Sequence, residues 1–213
     1  MKLLPLLMLV SLVTPVASLA NESVAKIVAT QKKVLVERSC ETFPGKRKTK
    51  LDVQDKVQTG DSARAQLKFI DGTLTTLGAD SEMTIDAFTW SKGEAKPKAE
   101  FTLVKGVFRT ITGAITKVTN PDYKVHTTVG SIGIRGTDFW GGQLDADAID
   151  VLFVAGEHEI VVSNEYGTTV LTQPGQGTTI RQGQAPGKAK VWSKDKVARA
   201  VKTISLKHPI EPR

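Results

Sequence analysis

Arg135 and Asp138 stand three residues apart inside Gly130–Phe139, among Gly130, Gly133 and Gly136, the most unusual local sequence in the chain. Such glycines permit positive φ or close backbone approach. One chemistry open to this pattern is a small anion or glycan site, with Arg135 as a fork donor and Asp138 as acceptor. The other is a structural lock, in which Arg135 is hydrogen-bonded to corner carbonyls or paired with a carboxylate, as a buried charge requires. The spacing suits packed corners better than a phosphate cradle and favours the lock. A phosphate loop would need Lys-Ser/Thr, and a dinucleotide site a strand leading into a helix.

The remaining reactive groups are sparse. Glu157-His158-Glu159, if extended, separates His158 from both carboxylates and reads as an exposed turn. Asp145-Ala146-Asp147-Ala148-Ile149-Asp150 fails as a calcium loop, because Asp150 stands where the sharp-turn Gly belongs and Gly156 where the bidentate Glu should be. It reads as a solvated hairpin tip. Cys40 has no local His partner, and no Ser lies in a G-x-S-x-G elbow. Cys40 is expected to be a buried small hydrophobe, with half of an intermolecular bridge as the other option. No cofactor or metal is expected. Carboxylates converging from separate strands, as in a carbohydrate-active hydrolase, stay open as the alternative.

The best charge cluster is Lys46-Arg47-Lys48 with Lys50. It can meet an anionic lipid headgroup, a phosphorylated glycan or an acidic partner protein. A solvated loop tip is the plainer reading, since four charges attract weakly and salt screens them. The basic residues lack interleaved aromatics, which argues against nucleic acid.

The elements that position these groups read as strands. Ala65, Leu67 and Phe69 share one face, Asp71-Gly72 supplies a tight hairpin turn, and Thr73–Leu77 follows. Met83/Ile85/Ala87, Phe101/Leu103, Tyr123/Val125 and Leu152/Val154 repeat the period of two. Abundant Thr and Val suit a pleated, half-buried surface, and helical periods are missing between strands. The basic loop spans Phe43–Lys50, and Ser91–Lys98 is a polar hairpin tip. Gly106, Gly156 and Gly175 recur in similar surroundings and look like coil corners. Near the C-terminus, Ser193 is a plausible N-cap and Val197, Ala200, Val201 and Ile204 form one apolar stripe, with Trp192 stapling Val197. This helix is expected to cover an open end of the β-body, with Lys207–Arg213 loose.

The 213 residues carry 29 Lys+Arg against 22 Asp+Glu, a formal net charge of +7, with 18 Gly, 9 Pro, one Cys and three His. That length buries a real core, and the single Cys excludes a disulfide framework. Met1–Ala20 has a basic start, an apolar run and a small-x-small end at Ser18 and Ala20, the layout of a cleaved export signal. The mature chain is therefore expected in the periplasm or secreted, with no membrane span after cleavage.

Three segments together resemble the FecR domain, a β-rich extracytoplasmic module. They are Val57–Thr73, with its Thr59-Gly60 and Asp71-Gly72 turns, then Val104–Gly113, which holds Arg109, and His126–Phe139. The resemblance covers roughly 50–140, with weaker Gly-turned strands to about 180. It implies an exported, non-catalytic character. It also implies an all-β fold, a FecR-type β-solenoid or β-sandwich-like body of short strands with one C-terminal α-helix. In the best-known members the domain is the periplasmic part of a transmembrane regulator that relays a transporter signal to a sigma factor. This chain shows no sigma-binding segment or later membrane helix, so that role does not simply carry over.

The expected organisation is a signal over 1–20, a FecR-like β domain over 21–190 and a helix with its tail over 191–213. The expected function is an interaction or scaffold module that binds an envelope protein or glycan, possible links to extracytoplasmic signalling included. Arg135, Asp138, Arg109, Lys46, Arg47, Lys48 and Lys50 are its candidate interaction or locking residues.

Overall fold

The computed structural model describes residues 22–118 and 121–210, so the expected export signal lies outside the described residues. Eighteen strands follow one another: β1 Ala25–Gln31, β2 Val34–Arg38, β3 Glu41–Pro44, β4 Lys50–Leu51, β5 Lys56–Thr59, β6 Arg64–Phe69, β7 Leu74–Leu77, β8 Glu82–Thr89 and β9 Lys98–Lys105. Then come β10 Val107–Ile111, β11 Asp122–Thr127, β12 Gly130–Ile134, β13 Thr137–Gly142, β14 Ile149–Gly156, β15 Ile160–Asn164, β16 Gly167–Leu171, β17 Gln176–Ile180 and β18 Lys190–Val191. A 3-10 turn at Ala114–Lys117 separates β10 from β11, and α1 spans Lys194–Thr203.

The strands form two nine-stranded sheets. The first runs β18-β17-β14-β13-β10-β7-β6-β1-β4 and the second β16-β15-β12-β11-β9-β8-β5-β2-β3. Seven hairpins of consecutive strands, with β1, β4, β5 and β10 as single strands, alternate between the two sheets along the described chain, so both sheets advance along one direction. β9 and β11 pair in parallel. The inner faces of both sheets contribute to one core, which makes the body sandwich-like. Phe69 of the first sheet stacks on Phe88 of the second at 4.9 Å and meets Phe101 edge-on at 5.3 Å. Each such buried ring contributes about 1.5–3 kcal/mol by transfer from water.

The alternation places Ala65, Leu67 and Phe69 inward, as their spacing predicts. A register shift between Ile85 and Ala87 breaks the next repeat, so Phe88 takes the inward position expected of Ala87. Gly106, Gly156 and Gly175 each lie where the chain passes from one sheet to the other, at φ of 87°, 132° and 87°. At Gly106 the reason is steric as well, because a Cβ there would stand 2.4 Å from the Ser81 Cα. Ser81 is itself fixed: its Oγ accepts from the Val107 N–H at 2.9 Å, and its own N–H donates to Thr59 Oγ at 2.9 Å.

Tyr123 brings a hydroxyl into the core beside Thr75 and Thr110, whose hydroxyls are 2.9 Å apart. Burial pushes the Tyr123 pKa up, and the two threonine hydroxyls oppose this only in part. A raised pKa means that the folded chain keeps this proton where the unfolded chain loses it. Stability from Tyr123 is thus complete below the ordinary tyrosine value of about 10 and declines as pH rises above it. Urea unfolding of wild type and Tyr123→Phe at about pH 8 and about pH 11 checks the sign. The wild type should lose more stability than the variant between the two, and parallel losses would refute the burial argument.

Candidate binding face

The outer face of the first sheet is where the chain departs most from a plain sandwich. Along β14, Val151 and Phe153 enter the main core while Asp150 and Leu152 are buried on the opposite side. The cover is the segment from Trp192 to Ile210. Ser193 caps α1 by accepting from the Lys196 N–H, as its position predicts. Trp192, Ala200 and Ile204 then bury against Val107, Trp140 and Leu152. The helix lies across the sheet's face and not over an open end of the body, because its stripe meets the apolar patch that β10, β13 and β14 present outward. Trp140 Nε1 donates to Thr203 Oγ at 3.0 Å, and Lys196 Nζ donates to Asp150 at 2.6 Å while lying 4.1 Å from the Trp192 ring centre.

The expected loose tail is held as far as it is described. Gln66 of β6 clasps Ile210 with both ends of its amide, its Nε2 donating to the carbonyl at 3.0 Å and its Oε1 accepting from the N–H at 2.7 Å. Residues 211–213 lie outside the described residues.

Asp138 is paired, but not with Arg135. Arg109 of β10 reaches across to β13 and donates to both Asp138 oxygens, at 2.8 and 2.6 Å. Register explains the exchange: Arg109 and Asp138 both point to the outer face, whereas Arg135 sits in the turn between β12 and β13. Arg135 is exposed and makes no hydrogen bond or ion pair among the described residues, so it is not a buried lock. Cys40 is not the expected buried hydrophobe either. It is exposed at φ 69° in the β2–β3 turn, where no side chain can reach the core. Glu157, His158 and Glu159 are exposed, as are Asp145 and Asp147, whereas Asp150 is buried and accepts from Thr179 Oγ as well as Lys196. No cluster of three potential metal ligands occurs among the described residues.

The basic cluster is larger than its sequence neighbours indicate. Lys50 of β4, Lys26 of β1 and Lys68 of β6 are directly opposite one another across three adjacent strands. Their neighbours Leu51, Ala25, Ile27, Leu67 and Phe69 point into the core, so all three lysines face outward. Arg47 and Lys48 overhang them from the β3–β4 turn, lining with Lys26 and Lys68 a cavity of about 270 Å³. A second cavity of about 430 Å³ shares Val28, Arg47 and Ile210 with the first and extends beside Thr30, Lys207 and His208. None of the lysines or Arg47 has a carboxylate partner among the described residues. Lys46 is exposed at the same turn, where its N–H donates to Thr49 Oγ.

The second sheet arranges charge in the opposite way. Lys56 lies 3.5 Å from Glu37 and 3.4 Å from Glu82, and Lys98 is 3.0 Å from Glu100. Arg38 binds Asp52 and the fully buried Asp55, whose hydrogen bond raises the arginine's pKa. Like charges directly opposite across strands destabilise a sheet. The three-lysine row is the one place where this fold carries that cost without a carboxylate among the described residues.

β4 covers only the first residues of the β1 edge. Beyond Ile27, which bonds the Lys48–Thr49 backbone, Val28–Gln31 have no strand on that side among the described residues. Thus an open strand edge and a basic groove adjoin. No curated protein matches the chain. Two crystal structures of a candidate anti-sigma factor from Parabacteroides distasonis share the fold, with TM-scores of 0.52 and 0.51 and identities of 16% and 14%. Each alignment covers 67% of this chain and 62% of that one, so the chain spans less than two thirds of their length. No helix among the described residues is long and apolar enough to cross a membrane. Residues 55–157, which contain all three segments singled out from sequence, match the FecR protein family, and this part of the chain is a FecR domain.

Proposed function

We propose that this chain is an exported, non-catalytic interaction module that docks a partner protein of the envelope along the open edge of β1. The carrying observation is that edge. A strand edge attracts a further strand, and proteins usually blunt or cover it. The chain does so elsewhere: β4 and β18 are two residues long, β3 ends at Pro44, and the Pro186–Gly187 backbone accepts from Thr169 of β16. Val28–Gln31, paired with β6 on one side, have no strand on the other side among the described residues and lie beside a groove. A place in extracytoplasmic signalling, as implied by the FecR domain and by the description of its structural neighbours, fits a module of this kind.

The hydrolase alternative has less support. It needs a cleft with paired carboxylates, whereas Asp55, Asp71, Asp138 and Asp150 are each engaged by scaffold donors. The groove beside β1 is lined by cations, neutral polar groups and apolar side chains, with no carboxylate among the described residues.

Hydrogen exchange of the full chain, alone and bound to a partner purified from an envelope extract, tests the docking mode. Amides at Val28–Gln31 should gain protection while those of β3 do not. Protection confined to β3, or spread over sites away from β1, would reject the proposal.

A further inference from the structure

We propose that the lysine row and the groove beside it bind an acidic polysaccharide, a linear glycan bearing an anionic group on successive units. The site lies on the sheet's outer face and does not depend on strand addition at the β1 edge.

Three observations converge. The row is a like-charge alignment across β4, β1 and β6 with no carboxylate to relieve it among the described residues, in a protein whose other sheet sets Lys56 between carboxylates on both neighbouring strands. A bound polyanion supplies the missing counter-charge and releases counterions as it does so. Adjacent strands are about 4.8 Å apart, so the row presents three ammonium groups rooted along about 10 Å. That matches a ligand with closely repeated anions better than one isolated phosphate.

The second observation is shape. Arg47, Lys48 and Ile210 line with Lys26 and Lys68 a cavity of about 270 Å³, which shares Val28, Arg47 and Ile210 with a neighbouring one of about 430 Å³. A recessed channel admits a chain, whereas a membrane presents its headgroups as a plane. The third is lining. Thr30, Gln31 and His208 offer hydroxyl, amide and imidazole groups beside the apolar Val28 and Leu206, the mixture that a sugar's hydroxyls and ring faces require. An acidic peptide would seek main-chain pairing along a strand edge, but the lysines run across the strands. Among the described residues no Phe, Tyr or Trp ring lines either cavity to stack a nucleobase.

Binding of the purified full chain to polygalacturonate, with dextran as the neutral control, tests this by calorimetry at two salt concentrations. Saturable binding to polygalacturonate that weakens steeply with salt, with none to dextran, is expected. Lys26→Glu should weaken it about ten-fold. Lys188→Glu, an equal charge change on an exposed residue near β18 at the other end of the sheet, should leave it within about two-fold. Glu at 26 would stand between Lys50 and Lys68, so the variant's unfolding midpoint should equal or exceed that of wild type, and lost binding would not reflect lost folding. Equal losses in both variants would reduce the effect to net charge and overturn the assignment. So would tighter binding of poly-glutamate or phosphatidylglycerol vesicles through the same lysine. Neither result would bear on exchange protection at Val28–Gln31.

Discussion

Replacing Asp71 with alanine should lower the free energy of unfolding by about 3–5 kcal/mol, a large share of the stability of an ordinary domain. Asp71 is buried at the turn that follows β6. Its carboxylate accepts from the Thr73 N–H at 2.9 Å, the Thr73 hydroxyl at 2.7 Å and the Ile115 N–H at 3.2 Å. Thr73 Oγ in turn accepts from the Gly113 N–H at 2.8 Å, and the Asp71 carbonyl accepts from Ala114 at 2.9 Å. One side chain therefore fixes the β6–β7 hairpin and also the 3-10 turn that sends the chain from β10 to β11. Alanine leaves three donors in a place with little water to replace the carboxylate. Asp71→Asn retains one acceptor oxygen but turns an amide N–H₂ toward donors, so an intermediate loss is expected. Urea denaturation followed by circular dichroism measures both. A loss below about 1 kcal/mol for the alanine variant would mean that the turn holds without its carboxylate.

Asp71 also shows how far the sequence could be read. Asp71-Gly72 announces a hairpin, and Gly72 does sit at φ 91°. The spacing is silent on the 44-residue reach from Asp71 to Ile115, which only the fold brings together. The same division holds across the body. Period-two residues such as Leu67 and Phe101 report one buried face, and the cores they predict are present. Asp138 and Asp150 carry no such signal. Both lie on strands whose outer face is covered by a segment dozens of residues later, and a polar residue under a cover looks like one in solvent.

The lysine row is a related case. Lys46, Arg47, Lys48 and Lys50 are neighbours in sequence and were visible as a cluster. Lys26 and Lys68 join them through strand register alone, separated from each other by 42 positions. One residue of slip in β1 would turn Lys26 inward. The signal that could have found the row is weak: a lysine flanked by core residues at Ala25-Lys26-Ile27 and again at Leu67-Lys68-Phe69. The lock reading of Arg135 errs in the opposite direction, since the side chain is exposed. Its glycine-rich setting suits packed corners, but Gly130 and Gly133 lie within β12 and Gly136, at φ 100°, serves a turn that leaves the side chain in water.

Trp192→Ala should detach the C-terminal cover from the sheet while leaving the sandwich folded. The indole is buried against Trp140, with ring centres 6.3 Å apart, and Lys196 lies over it before reaching Asp150. Truncating a buried Trp costs about 3–5 kcal/mol. Here the loss falls on a segment whose other anchors are Val197, Ala200 and Ile204 in the same cluster, the Lys196–Asp150 and Arg199–Asp145 ion pairs, the Trp140–Thr203 bond and the Gln66 clasp at Ile210. Local opening should then precede global unfolding. Amides of α1 should exchange far faster in the variant, while those of β8 and β9 stay near wild-type protection. Gly177→Ala would also press on the indole, its Cβ standing 2.3 Å from it, but at 2.6 Å from the Val151 carbonyl it would strain the β14–β17 ladder as well. If the cover opens, Ile210 leaves the wall that it contributes to both cavities, so polygalacturonate affinity should fall with every lysine still in place. Uniform loss of protection throughout the chain would show instead that cover and sandwich unfold as one unit.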